Sequence, residues 1–568
     1  MASDHTASSR SSRDSPEEPK TANSAAETKK PENEMSSVWK LVLVTIALAS
    51  AVFCMSLDAT ILATAIPKIT TEFDSLGDVA WYGSSYLFTT CAVQLLFGKL
   101  YTFYSTKWMF LLGLLVFEIG SLVCGLAPNS TALIIGRSIA GLGGAGIFSG
   151  AIIIIATALP LRIRPIYTGL LASMHGVASV AGPILGGAFT DHVTWRWCFY
   201  INLPFGGLTA IFVVLFLPSN NTLITGLDWK EQLKQFDLPG TFFLVPAVIC
   251  LLLALQWGGS AYPWSNGRIV ALFVLFGVLF IIFLGVQVLQ KDRATIPFRI
   301  MKNRNIWGAV WYVVFLGGAM FIFTYYLPIW FQAVKGVSAT QSGIDNLPSL
   351  IGLVIFSLIG GALASAIGYY TPLLLVSSVI TTIGSGMLST LEVNSSIGYW
   401  FGYQVLLSAG GGLGAQNVML VAQVAVAPEE MAMATSILIF TQTLSTSVFL
   451  AVGQSVFQNR LAANLASTIP EIGELSVAQS GATGFRDNFS ASQLPLALQA
   501  YNEALVQTFY VAVATSVLSL VGPIFMEWLS LKEKPGKNED EEASQSAAAT
   551  DQRDEKASMG SDHAKADA

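Results

Sequence analysis

The chain has 568 residues, of which 53% are hydrophobic and only 12% charged, and its mean hydropathy is +0.59. A globular chain of average make-up carries about 25% charged residues, so this one cannot cover itself with polar groups; a water-soluble multidomain protein is excluded in favour of one solvated by lipid. The formal net charge of −6 says little about partners, because many charges lie in two polar ends, 1–39 and 532–568. Both ends read as disordered cytoplasmic tails, and the first holds no apolar signal-peptide segment.

A spanning helix needs roughly 20 apolar residues. Fourteen stretches qualify, over 41–66, 80–100, 108–126, 132–158, 167–190, 197–217, 239–257, 269–288, 306–333, 343–366, 371–390, 398–426, 432–456 and 507–529. The expected fold class is an all-α polytopic membrane protein. Lysine and arginine in the loops set the orientation. With the N-terminus inside, the inner loops carry Lys99, Lys107, Arg162, Arg164, Lys230, Lys234, Lys291, Arg293, Arg299, Lys302 and Arg304, and the outer loops Lys68, Arg196, Arg268, Lys335, Arg460 and Arg486, eleven against six. Asn-x-Ser/Thr sequons at Asn129, Asn394 and Asn488 then fall outside as candidate glycosylation sites, and the one at Asn220 falls inside.

A short repeat divides the chain. Gly98-Lys-Leu100-Tyr-Thr102 closes the second stretch and Gly361-Ala-Leu363-Ala-Ser365 the tenth, with Gly, Leu and a small hydroxyl at equal spacing. Parallel repeats of this kind are used by many secondary transporters. They predict two six-helix bundles, 40–217 and 306–531, with two additional helices and their linkers inserted over 218–305. The second bundle includes a long outer loop, about 457–506, read as an uncharged extracellular spacer with room for a short amphipathic helix.

Ionisable residues are expensive inside a bilayer, at about 2.5–3.5 kcal/mol or more, and usually face a cavity or a partner. Asp58, Glu118, Arg137 and His175 are placed inside the first, third, fourth and fifth stretches. A carboxylate whose environment alternates can gain and lose a proton, so Asp58, Arg137 and Glu118 are the proton-coupling candidates; a static pair between helices is the alternative for Asp58 and Arg137. In the fifth stretch, Gly182, Pro183, Gly186 and Gly187 would be ruinous in a soluble helix, but small residues let membrane helices approach closely. His175, Tyr325, Gln416 and Asn417 are candidate walls of a substrate cavity, Tyr325 among Phe315, Phe321, Phe323 and Tyr326. Trp81, Tyr82, Trp108, Trp195, Trp197, Trp257, Trp264, Trp307 and Trp528 lie near segment ends and read as interfacial anchors.

The five cysteines, Cys54, Cys91, Cys124, Cys198 and Cys250, read as buried free thiols without metal-ligand spacing. No Walker sequence is present, so ATP is not the energy source. Nothing points to an enzyme, a cofactor or nucleic acid. The expected partners are a small-molecule substrate, protons and the lipid bilayer.

These motifs together resemble the major facilitator superfamily, and within it the fourteen-helix drug:proton antiporter branch of fungal toxin and multidrug efflux pumps. The run Leu57-Asp58-x-Thr60-Ile61 to Pro67 is similar to the first-helix motif of that branch. Gly136-Arg137 with Gly141 and Gly143-Gly144 is similar to its fourth-helix motif, and Gly169 with Gly182-Pro183 and Gly186-Gly187 to its fifth-helix antiporter motif, although Ala178 stands where Gly is common. Trp195-Arg-Trp-Cys-Phe-Tyr-Ile-Asn-Leu-Pro204 resembles the start of its sixth helix. The resemblance spans about residues 40 to 530. It implies proton-coupled efflux of an amphipathic toxin, secondary metabolite or xenobiotic by alternating access, at the plasma membrane, with a vacuolar membrane as the other location. One motif departs: the loop after the second helix keeps Gly98, Leu100 and Lys107, but Thr102 and Ser105 replace the usual Asp and Gly. An uptake transporter for an iron chelate or another polar nutrient, and a non-transporting receptor, are the alternative functions.

Overall fold

The structure, a computed structural model, describes residues 38–75, 78–219, 236–259, 262–469, 486, 489–490 and 492–532. The long helices in chain order are α1 Val38–Phe73, α2 Val79–Phe103, α3 Thr106–Gly125, α4 Ser130–Ala158, α5 Arg164–His192, α6 Trp197–Phe216, α7 Leu238–Trp257, α8 Gly267–Gln290, α9 Arg304–Trp330, α10 Leu347–Ile367, α11 Thr371–Leu388, α12 Ile397–Ala415, α13 Met431–Thr468 and α14 Leu494–Ser519. Among the described residues thirteen helices are long and apolar enough to cross a membrane. The other, α2, has the length at 25 residues, but Ser84, Ser85, Gln94 and Lys99 hold down its hydropathy. Helices begin where a side-chain oxygen can take an orphan backbone N–H: Asn129 Oδ1 accepts from Ala132 N at 2.9 Å and Asp237 Oδ1 from Gly240 N at 2.7 Å. Pro67, Pro183, Pro246 and Pro328 sit inside helices, as bilayer-spanning segments tolerate.

Two helix boundaries differ from the sequence reading. α13 runs on to Thr468 and α14 begins at Leu494, so the connection expected over 457–506 is much shorter. Polar Gln458, Asn459, Arg460 and Asn464 hid the extension, because apolar runs mark the lipid-facing part of a helix and not its end. The short amphipathic helix expected there falls mostly outside the described residues. The twelfth span is also interrupted: α12 ends at Ala415 and gives way to a tight turn, Asn417–Leu420, and a short helix, Val421–Val424.

Helices α1–α6 meet helices α9–α14 along two seams, α2 with α13 and α5 with α10. Both seams close at the basic end, which carries Lys99 and Arg164. A Cβ at Gly98 would lie 2.7 Å from Ser436 Cβ, and one at Gly361 would lie 2.3 Å from Pro165 O. The repeated glycines thus occupy equivalent crossing points, one per seam. Cys91 and Leu95 of α2 and Ile152 of α4 share one apolar cluster with Ile437, Leu438 and Phe440 of α13, and this plug completes the closure. Helices α7 and α8 pack on each other, and α7 also packs against α2 and α13. Buried Asp237 fastens them: its Oδ2 accepts from Gln287 Nε2 at 2.6 Å and from Thr295 N and Oγ1 at 2.9 Å. Lys99 Nζ donates to Arg293 O, joining α2 to the same linker.

Candidate functional site

Five helices converge on one ion pair. Asp58 of α1 and Arg137 of α4 are 0% and 1% exposed. Asp58 Oδ2 accepts from Arg137 Nη1. Asp58 Oδ1 accepts from Asn202 Nδ2 of α6 at 3.2 Å, and the same amide donates to Ser121 Oγ of α3 at 3.1 Å. Arg137 Nε donates to Tyr82 O of α2 at 2.9 Å, and the guanidinium carbon lies 4.6 Å from the centroid of the Tyr86 ring. Glycines make this possible: Cβ atoms at Gly141 and Gly144 would meet Tyr86 O at 2.3 Å and Tyr86 Oη at 2.5 Å, so α2 lies flat on α4 and brings Tyr86 over the arginine. A desolvated guanidinium gains from a carboxylate, a carbonyl and a π face at once.

Glu118 has the opposite environment. It lies on α3 one turn before Ser121, and both its carboxyl oxygens are buried without a hydrogen-bond partner. Across from it is α6, where a Cβ at Gly206 would fall 1.7 Å from Oε1. An ionised carboxylate buried without partners is far more costly than a neutral one. The bundle therefore holds one carboxylate with its charge fully answered and, one turn from Ser121 on α3, one with none of it answered.

The fifth-helix motif lies on the other side of α1. Gly182 and Gly186 face it, with Cβ positions 2.3 Å from Thr60 Oγ1 and 2.2 Å from Thr64 Oγ1, and Thr60 Oγ1 donates to Ala178 O at 3.0 Å. Gly169 instead faces α10, 2.7 Å from Ser357 O, while Gly187 faces open space and Pro183 lies within the unbroken helix. His175 is accessible, and its Nδ1 is 3.1 Å from Ser56 Oγ, two residues before Asp58. Tyr325, Gln416 and Asn417 lie apart from the ion pair. Tyr325 is half exposed, its ring 5.0 Å from that of Tyr326, whereas Tyr326 and Phe323 are core residues. Gln416 caps α12, and Asn417 is buried with its amide donating to Leu413 O at 2.7 Å. Asn129 and Asn394 are exposed, the former with its oxygen capping α4; Asn488 lies outside the described residues.

The sequence reading missed Asn202, Ser121, Ser56, Tyr82 and Tyr86. Asn202 had a usable signal, a lone amide in an apolar stretch. Tyr82 and Trp195 are corrections: both are buried, at 0% and 2%, and neither anchors an interface. Tyr82 donates to Ser130 Oγ at 2.8 Å, and Trp195 Nε1 donates to Glu72 at 2.6 Å.

A membrane bundle whose helices α1–α6 and α9–α14 meet along two seams shut at the basic end, with a buried ion pair toward the other end of α1–α4, has the architecture of a secondary transporter. The family model described as Major Facilitator Superfamily matches residues 48–450. "Efflux pump roqT" of Penicillium rubens is 52% identical over 497 residues, covering 88% of this chain and 92% of its own. "MFS-type transporter astH" of Aspergillus oryzae is 51% identical over 514 residues, covering 90% and 91%. "MFS-type efflux pump MFS1" of Trichophyton rubrum is 51% identical over 496 residues, covering 87% and 92%. The crystal structure of the human organic anion transporter MFSD10 (TETRAN) shares the fold, with a TM-score of 0.52 at 13% identity, over 83% of this chain and 99% of that one. The chain belongs to the major facilitator superfamily. It is a multi-pass membrane efflux transporter and not an enzyme.

Proposed function

We propose that this transporter exports amphipathic small molecules, a toxin, secondary metabolite or xenobiotic, in exchange for protons. The supporting observation is the pair of unlike carboxylates in one bundle, Asp58 saturated by Arg137 and Asn202 and Glu118 bare. A proton reaching Asp58 cancels the charge that holds Arg137, and the guanidinium keeps only Tyr82 O and the Tyr86 ring. The contact between α1 and α4 then loosens, and the halves rock about the seams toward the other state. Glu118 is the second proton site, and protons enter as substrate leaves. The names of the relatives, two of them efflux pumps, support the direction of transport. We place the protein in the plasma membrane; a fluorescently tagged chain on the vacuolar rim would reassign it.

The test is export of a panel of fluorescent and toxic compounds from cells expressing the chain, with and without a protonophore. Export that stops with the protonophore, and in Asp58→Asn while the protein remains in the membrane, is expected. Export that persists without a proton gradient would overturn the coupling role.

A further inference from the structure

The loop after α2 departs from the usual motif at Thr102 and Ser105, and both hydroxyls are spent within the first bundle. Thr102 Oγ1 donates to Gly98 O of its own helix at 2.9 Å, and Ser105 Oγ lies 3.1 Å from Ser219 Oγ, just past α6. A different element spans the seam. Helix α7 packs on α2 and on α13 at once. Its Leu244, Val248 and Leu252 share one apolar cluster with Cys91 of α2 and Ile437 of α13. The inserted pair α7 and α8 therefore lies over the α2–α13 seam.

The connection from α8 to α9, residues 291–303, is hooked to both sides of that seam. Lys291 reverses the chain at a φ of +50°, a region that a lysine rarely adopts. Asp237 and Gln287 fix the residues that follow, through Thr295 and Ile296. On the α2 side Lys99, only 4% exposed, donates its Nζ to Arg293 O. Phe236, at the start of α7, sets its ring 5.7 Å from that of Phe103 and 6.1 Å from that of Tyr104. On the other side the short helix Phe298–Lys302 pairs Arg299 with Glu430 at the head of α13. Asn303 Nδ2 donates to Ala425 O at 2.6 Å, and Ile300 joins the plug.

Separating α2 from α13 has to break one of these two sets of hooks. The Arg299–Glu430 pair has an exposed arginine and holds little. Lys99 is different, because a hydrogen bond from a buried ammonium is stronger than one between neutral groups. The same ammonium regains water as the end opens, so its grip is firm while closed and reversible.

We propose that residues 291–303, carried by α7 and α8, form a strap that holds the basic end shut, and that Lys99 is the catch that engages it. The strap takes the place of the missing loop contact. It acts on the rocking of the halves proposed above, and involves neither the direction of export nor the proton.

The test follows maleimide labelling of Cys91, 1% exposed inside the plug, from the basic side. It uses the full chain in membrane vesicles, with Cys54, Cys124, Cys198 and Cys250 replaced by alanine and with no substrate or proton gradient. Lys99→Met keeps the apolar stem and removes the donor. Labelling at least about tenfold faster is expected, the shift that about 1.4 kcal/mol gives. Phe236→Ala frees the same strap from α2, so it should speed labelling too, and the double variant should be no faster than the quicker single one. Two independent losses would multiply instead. Asn303→Ala cuts the anchor on the α13 side and replaces Lys99→Met if that variant fails to reach the membrane. Wild-type rates in Lys99→Met and Asn303→Ala, or multiplied effects in the double variant, would overturn the proposal. Cys91 that stays unlabelled in every variant, Gly98→Val included, would overturn both the catch and the rocking it restrains. Protonophore-resistant export beside faster labelling leaves the catch standing and removes only the antiport reading.

Discussion

Glu118 fits against α6 only because residue 206 is glycine; any side chain there would begin 1.7 Å from the carboxyl oxygen. Gly206→Ala must therefore push the carboxylate out of its place, an overpacking that costs about 1–3 kcal/mol. Export is expected to fall and the thermal unfolding temperature of the purified protein to drop. Adding Glu118→Ala removes the collision. In a double-mutant cycle the pair should show coupling of at least about 0.5 kcal/mol, and independent effects would place Glu118 elsewhere.

Asp58→Asn leaves Arg137 buried without its counter-charge. Breaking a buried pair on one side costs about 3–5 kcal/mol, whereas replacing both partners with apolar groups of similar volume is often close to neutral. The double variant Asp58→Leu with Arg137→Met should regain much of the lost thermal stability without regaining proton-driven export. A double variant as unstable as the single one would show that Asn202 and Tyr82, rather than the pair, hold these helices together.

The seam at Gly98 predicts a gating defect. Gly98→Val inserts a branched side chain where a single Cβ already lies 2.7 Å from Ser436 Cβ. Cys91, 1% exposed within the plug, is a natural reporter. In a chain whose other cysteines are replaced by alanine, maleimide added from the basic side should label Cys91 at least about tenfold faster in Gly98→Val, the population shift that about 1.4 kcal/mol gives. Equal rates would mean that the seam closes without that contact.

A pH effect is expected at the other end of α1. Glu72 lies beyond the span Trp39–Leu62. The Trp195 N–H, and then Arg196 at 2.9 Å, hold its carboxyl below the usual carboxylate range. A depressed folded value means that stabilisation is present above the unfolded value and is lost as pH falls through the folded one. Trp195→Phe should raise the value toward that of an ordinary glutamate. Wild type and Glu72→Gln should then differ in unfolding temperature at neutral pH and converge below the usual carboxylate range; the difference is small because the pair is solvent-screened.

The spanning helices were legible because apolar runs of the right length have few other uses. Asp58, Arg137 and Glu118 stood out for the reverse reason, as charges placed where lipid makes them costly. What could not be read was contact. Tyr82 looks like any aromatic near a helix end, yet its carbonyl holds Arg137. Gly206 looks like one more small residue, and only the facing helix shows that it shelters Glu118. Asp237 lies before an apolar run like many caps, and nothing local says that Gln287 and Thr295 close on it. Side chains that answer one another from 50 or more residues away leave no periodic trace.

The closure at the basic end is built from close glycine packing, Gly98 on the Ser436 side chain and Gly361 on the Pro165 backbone, and from the plug around Leu95 and Ile437. Apolar contact of this kind carries a heat-capacity signature and weakens on cooling, while added salt acts mainly on exposed charges. The opening step is accordingly expected to curve with temperature and to vary little with ionic strength, so a cell growing in the cold would hold this exporter less firmly shut than the same cell in warmth.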